Sequence, residues 1–223
     1  MLGDKVGAEE AYKTCLRHHP EHGMATHLLA AMTGMNTARA PQNYVRDLFD
    51  DYAETFDAEL IDDLKYVVPD LIEKALSRHL AETHLTGRPP FKRELDLGCG
   101  TGLVARAIQP LAHEIIGVDL SPKMLEIAVR DRRINQSVVA DMVEFITGPT
   151  SNDGYFNLIV CGDAIVYLGD LKELIKGISQ QLDRRGLFCF TAEDIPNGNF
   201  KLMPSGRYAH NSKYITDLLT EFS

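Results

Sequence analysis

Ahead of Arg93 the apolar residues recur at helical spacing; beyond it, short apolar runs alternate with helical stripes. Ala8, Ala11, Tyr12, Cys15 and Leu16 share one helical face, which Pro20 ends. A second stripe runs from about Met24 to Met32 and closes at Gly34. Residues 37–42 read as a linker. Val45, Leu48, Phe49, Tyr52 and Phe56 then form an apolar stripe, with Asp47, Asp50, Asp51, Glu54 and Asp57 on the other face. A further helix opens at Pro69 and runs to about Leu85, stopped by Gly87 and the pair Pro89-Pro90.

Past Arg93 the candidate strands are Glu94–Leu97, Glu114–Leu120, Ser137–Ala140, Phe156–Cys161 and Leu187–Ala192. Helical patterns lie between them at Leu103–Ile108, Pro122–Arg130 and Leu171–Leu182. Ser121 is placed to cap the second of these, with Pro122 at the first helical position. Asp170 caps the third, with Glu173 three residues on. Ser212 caps a last helix carrying Ile215, Leu218, Leu219 and Phe222. Strands alternating with helices predict an α/β fold with a doubly wound, mainly parallel sheet. The chain divides into a helical hairpin (1–36), a helical lead-in (37–92) and the α/β core (93–223). Ligands in such sheets bind beyond the carboxyl ends of the strands, so residues just after each strand are the site candidates.

Composition narrows the partners. The net charge of −9 over 223 residues argues against a nucleic-acid partner, whose phosphates need a basic face. No apolar run reaches membrane length and the N-terminus has no signal-peptide pattern, so a cytoplasmic protein is expected. Cys15, Cys99, Cys161 and Cys189 show no paired spacing and read as reduced thiols. His18, His19 and His22 lie near Cys15, but Pro20 breaks any regular face and no second ligand group flanks them, so no metal is expected.

The candidate chemistry concentrates in Glu94-Leu95-Asp96-Leu97-Gly98-Cys99-Gly100-Thr101-Gly102. An apolar strand ends in an acid, three glycines follow at alternate positions, and a helix begins. Glycines let the backbone turn tightly and approach a ligand closely. A dinucleotide site would place a pyrophosphate at this helix start, and Asp96 would repel it. The carboxylate suits an ammonium group. Asp119, seventeen residues past Gly102, is placed to accept from both hydroxyls of a ribose.

This pattern, over roughly Arg93 to Glu193, resembles the class I S-adenosylmethionine-dependent methyltransferases. The resemblance implies a Rossmann-like core and S-adenosylmethionine as cofactor. Asp96, Gly98, Cys99, Gly100 and Gly102 would hold its methionine end. Asp119 and Leu120 would take the ribose side, Asp141 the adenine amino group, and Met142 the ring. Met124, Cys161, Gly162 and Tyr52 complete the implied cofactor set. The segment Phe49 to Asp57 resembles a lid that lies over the cofactor in small-molecule methyltransferases. The helical pair and later phrases such as Ser205-Gly206-Arg207-Tyr208-Ala209-His210 are similar to tetratricopeptide-linked predicted methyltransferases.

The acceptor is less legible. The Asn-Pro-Pro-Tyr pattern of nucleobase amino methyltransferases is absent, which favours a small-molecule acceptor; a protein acceptor docked by the N-terminal helices is a variant. Asp163, Tyr167 and His210 are the candidates for catalysis, and Tyr167, Glu193, Arg207 and His210 for acceptor binding, each with a packing or capping role as its plain alternative. The competing functions are a nicotinamide-dependent oxidoreductase and an interaction protein that binds cofactor without transfer. The final helix ends at Phe222, which leaves no room for the hairpin that follows the fifth strand in methyltransferases of this class. The expected sheet is therefore five strands in the order 3-2-1-4-5, lacking the last two. Its fifth strand would be an apolar edge to be covered by Phe200–Met203, by the N-terminal helices or by a second copy in a homodimer.

Overall fold

The computed structural model describes residues 4–83, 90–149 and 155–223. The stop signals at Gly87 and Pro89 lie outside the described residues. The two N-terminal helices are α1 (Lys5–His18) and α2 (Gly23–Thr33), the latter closed by left-handed Gly34. No residue of α1 is buried, and the helix leans on α2. Helix α2 in turn packs on the rest of the chain through Ala30 and Ala31.

Helix α3 (Gln42–Ala58) buries Tyr44, Val45 and Ala53. It runs into a π-helical turn, Glu59–Asp63, and then Lys65 at φ 49°. A side chain in the left-handed region is strained, and the wide turn redirects the chain toward α4 (Val68–Thr83).

The core follows the expected alternation: β1 (Phe91–Leu97), α5 (Leu103–Ile108), β2 (Ala112–Asp119), α6 (Pro122–Arg130), β3 (Gln136–Val139), α7 (Met142–Thr147), β4 (Phe156–Cys161), α8 (Lys172–Gln181) and β5 (Leu182–Phe190). The five strands form one sheet in the order β3-β2-β1-β4-β5, every pair parallel. One face packs on α7 and α8 through Leu95, Leu97, Ile159, Ile146 and Leu174. The other packs on α4 and α5 through Ile115, Leu158, Ile72 and Val104.

Three local expectations are corrected. Strand β5 begins at Leu182, because a register shift between Phe156 and Leu158 of β4 absorbs the polar residues that read as a turn. Helix α8 starts at Lys172, with Leu171 at the N-cap. Asp170 still accepts from the Lys172 N–H at 2.9 Å, but it also accepts from the Tyr214 hydroxyl, and its own N–H donates to the Ala38 carbonyl rather than to Glu173. The last helix, α9 (Ser212–Glu221), is capped by Asn211 rather than Ser212, the Asn211 oxygen accepting from Lys213 N–H at 3.0 Å.

Beyond β5 the main sheet gains no strand among the described residues. The chain instead makes a small sheet, β6-β8-β7, from β6 (Glu193–Asp194), β7 (Phe200–Leu202) and β8 (Tyr208–His210). The segment expected over the edge of β5 is β7 itself, paired antiparallel with β8. Leu202 and Tyr208 are buried against α2 and α3. The small sheet therefore packs on α2 and α3, and of the helices ahead of the core it is α4 that contacts β5. Exposed charges at Asp183, Arg184 and Arg185 blunt that edge over its first half.

Candidate functional site

The carboxyl ends of β1, β2 and β4 open into one cavity of about 300 Å³, roofed by α3 and the turn that follows it. Its floor is the glycine turn. Gly98 has φ +71°, and a Cβ there would stand 2.4 Å from the Ala164 side chain, so only glycine lets this loop lie against the loop after β4. Gly100, at φ +54°, would project a Cβ with nothing nearer than Phe56 at 3.9 Å, so this stretch of backbone is open to a ligand.

Asp96 lines the cavity and is 1% exposed, and its Oδ2 has no partner among the described residues. Burial raises its pKa to about 7, with the Asp119 charge adding to the rise and the Ala105 N–H opposing it. Asp119 braces the turn, its two oxygens accepting from Gly100 N–H and Ser121 N–H, each at 2.8 Å. Burial pushes its pKa up against the pull of those N–H bonds. The predicted Ser121 cap is present, its hydroxyl accepting from Met124 N–H at 3.1 Å.

Most expected cofactor residues meet here: Asp96, Gly98, Cys99 and Gly100 from the turn, Asp119 and Leu120 after β2, and Met142, Gly162 and Tyr52 around them. Three do not. Met124 is fully buried under the lid with Ala53 and Ile127, because its side chain points into the α3–α6 contact. Cys161 is fully buried in the sheet core, since the alternation of β4 turns it away from the cavity. Gly102 stands behind the turn, where a Cβ would press on Arg133 and Ala128. Asp141 lines the cavity, but its carboxylate is already engaged: Oδ1 accepts from Val143 and Glu144 N–H as a helix cap, and Oδ2 pairs with Arg39.

At the other end, the loop after β4 carries Asp163, at φ 58°, with its N–H donating to the Thr191 hydroxyl at 2.8 Å. Arg207 reaches over from the small sheet, pairs with Asp163 through Nη2, and donates through Nε to Glu193 at 2.5 Å. Asp163, Tyr167 and Arg207 thus line the cavity, with Glu193 behind Arg207. His210 does not belong to this group. It is 1% exposed, and its Nε2 meets the carbonyls of Leu168 (2.9 Å) and Gly169 (3.1 Å), which ties β8 to the loop after β4. Burial lowers its pKa, and it does not line this cavity.

The structure adds residues that periodicity did not reveal. Asp57, at the end of the lid stripe, accepts from Thr101 Oγ1 at 2.5 Å and pairs with buried Arg133 at 2.6 Å, which pins α3 to the glycine turn. Asp50 accepts from Ser121 Oγ at 2.6 Å. Tyr66, placed by the π-turn, joins the wall near Asp163; burial raises its pKa, with Asp163 and Asp96 adding to the rise, so its phenol stays protonated. Arg39 is held over Asp141 by the bridge between its own backbone and Leu168. The acid face of α3 was visible in the sequence, but its partners come from loops far along the chain.

Residues 95–190 match the model of a methyltransferase domain. The core of this chain is thus similar to methyltransferase domains. The demethylmenaquinone methyltransferase of Symbiobacterium thermophilum is 29% identical over 167 residues, which cover 71% of this chain and 62% of that protein. YcgJ of Bacillus subtilis, described as an uncharacterized methyltransferase, is 30% identical over 108 residues, 47% of this chain and 42% of that protein. The chain spans roughly half the length of the curated relatives it matches. Among solved structures, a methyltransferase of Leishmania major aligns with a TM-score of 0.61 at 19% identity, over 81% of this chain and 72% of that one. The magnesium protoporphyrin IX methyltransferase of Synechocystis aligns at 0.57 and 16%, over 81% and 84%. These likenesses concern the fold.

Proposed function

We propose that this chain is a methyltransferase that binds S-adenosylmethionine in the cavity above β1 and β2 and passes its methyl group to a small molecule. The observation that carries the reading is Asp96: a buried carboxylate with one unpartnered oxygen, at the end of a glycine turn that a phosphate would find repulsive. It suits the ammonium of the cofactor's methionine end. Gly98, Cys99 and Gly100 would lie along that end, Asp119 and Leu120 along the ribose, and Met142 along the adenine. When bound, the cofactor supplies a methyl group on a sulfonium, already activated for displacement. The residues of this chain align the acceptor and keep water out beneath the Phe49, Tyr52 and Phe56 stripe. The N-terminal hairpin (1–36) and lead-in (37–92) serve this core by roofing the cavity and seating the small sheet. The same carboxylate counts against a nicotinamide cofactor.

The test is methyl-labelled S-adenosylmethionine incubated with the protein and fractions of a cell extract. Label moving to a small-molecule fraction supports the reading. Label moving to protein alone would replace it with the protein-acceptor variant, and the absence of any transfer would favour a binding protein without activity.

A further inference from the structure

The end of the cavity beyond the glycine turn has a charge arrangement that a methyl acceptor must match. Two carboxylates, Asp163 and Glu193, face a single guanidinium, Arg207, and all three side chains are partly exposed. The local balance is one negative charge in excess. Two phenols stand over it: Tyr66 and Tyr167 both line the cavity, and among the described residues neither hydroxyl has a hydrogen-bond partner. Asp163 is held in place at some cost. Its φ of 58° is one that side chains seldom adopt, and Thr191 and Arg207 fix its backbone and its carboxylate. Leu60 and Leu64 supply an apolar wall beside Tyr66.

From this geometry we infer that the acceptor is an amine on an apolar or aromatic body. The inference rests on the methyltransferase reading above and names the acceptor class of that site. A carboxylate or phenolate would enter a region already one negative charge in surplus, and Arg207 has no spare charge to offer it. An amine meets the opposite conditions. Surplus carboxylate attracts its cationic form, and tyrosine rings hold cations on their faces. The transfer itself favours the same choice. The nitrogen lone pair forms the N–C bond while the C–S bond breaks and its electron pair stays on sulfur. The positive charge moves from sulfur to nitrogen, toward Asp163. An amine that enters protonated first gives its proton to the Asp163 carboxylate, which passes it to water at the partly exposed mouth. No oxidant or further reactant is needed.

The test uses the whole chain saturated with S-adenosylhomocysteine, with phenethylamine and phenylacetate as probes of matched shape and opposite charge. Calorimetry of S-adenosylhomocysteine alone comes first. If that ligand does not bind, the methyltransferase reading itself fails. If it binds, phenethylamine is expected to bind the loaded protein at least tenfold more tightly than phenylacetate. Asp163→Asn should erase that preference while leaving S-adenosylhomocysteine affinity unchanged. Asparagine tolerates the left-handed backbone, so this variant keeps the loop. Preference for phenylacetate, equal binding of the two probes, or an amine preference untouched by Asp163→Asn would overturn the inference.

Discussion

At the scale of single residues, the site depends on carboxyl groups that the fold holds where water cannot reach them. In the proposed reading Asp96 receives the cofactor's ammonium. Glu94, two positions earlier on the same side of β1, has no role that the structure explains: it is fully buried, and neither oxygen has a partner among the described residues. Burial raises its pKa well above the usual carboxylate range, and the Asp96 charge adds to the rise. For an acid this sign means that the folded state resists ionisation. The resistance of Glu94 to ionisation therefore costs nothing below its unfolded pKa of about 4.3 and costs more as pH rises from there toward its raised folded value, on top of the cost of burying the neutral carboxyl unpartnered. Glu94→Met, which removes the polar group at similar volume, is expected to stabilise the protein by about 1–3 kcal/mol, the cost of an unsatisfied buried polar group. Denaturant melts should show a larger gain at pH 8 than at pH 5; destabilisation at both would mean that the carboxyl has a partner.

The sequence was most legible at this scale where one residue type can do one job. The glycine turn, Asp96, Asp119 and the Ser121 cap all stand where their spacing placed them. It was least legible for Arg207 and His210, which are three residues apart in the same phrase. Their residue types suggest chemistry equally, but β8 carries His210 into the core while Arg207 reaches the cavity. Only the pairing of β7 and β8 decides between them.

At the scale of elements, α3 is the part of the molecule most closely tied to the cavity. One face carries Phe49 and Phe56, which pack edge to face, and Phe49 also meets Tyr167. The other face sends Asp57 to the glycine turn and Asp50 to the start of α6. The apolar stripe and its acid face were legible from helical periodicity. The π-turn that follows and the small sheet were not, since strands of two or three residues carry too few positions to show a period. If α3 closes over the cofactor, amide hydrogen exchange in residues 43–57 should slow when S-adenosylhomocysteine is added. In Asp57→Ala that protection should shrink, and affinity should fall by about 1–3 kcal/mol, because Thr101 and Arg133 lose a charged partner next to the turn. Unchanged exchange in the unmodified protein would leave α3 as packing alone.

At the scale of the whole molecule, the five-stranded order and the doubly wound arrangement follow from the alternation of short apolar runs with helical stripes. The main sheet has five parallel strands and no sixth among the described residues. What periodicity could not supply was the use of the chain after β5. The small sheet takes up α2 and α3 and so carries Arg207 across to Asp163, joining distant segments at one end of the cavity.

The central claim is that this cavity takes S-adenosylmethionine by its ammonium on Asp96. Titration calorimetry of S-adenosylhomocysteine and NAD across pH tests it most directly. With the Asp96 pKa raised to about 7 by burial, the carboxyl is mostly protonated at pH 6 and mostly ionised at pH 8. An incoming ammonium must expel that proton at the lower pH. S-adenosylhomocysteine should therefore bind roughly tenfold more weakly at pH 6 than at pH 8, with proton release at pH 6, and Asp96→Asn should flatten the difference. NAD should not bind at either pH. Tighter binding of NAD, or an S-adenosylhomocysteine affinity that ignores both pH and Asp96, would contradict the account.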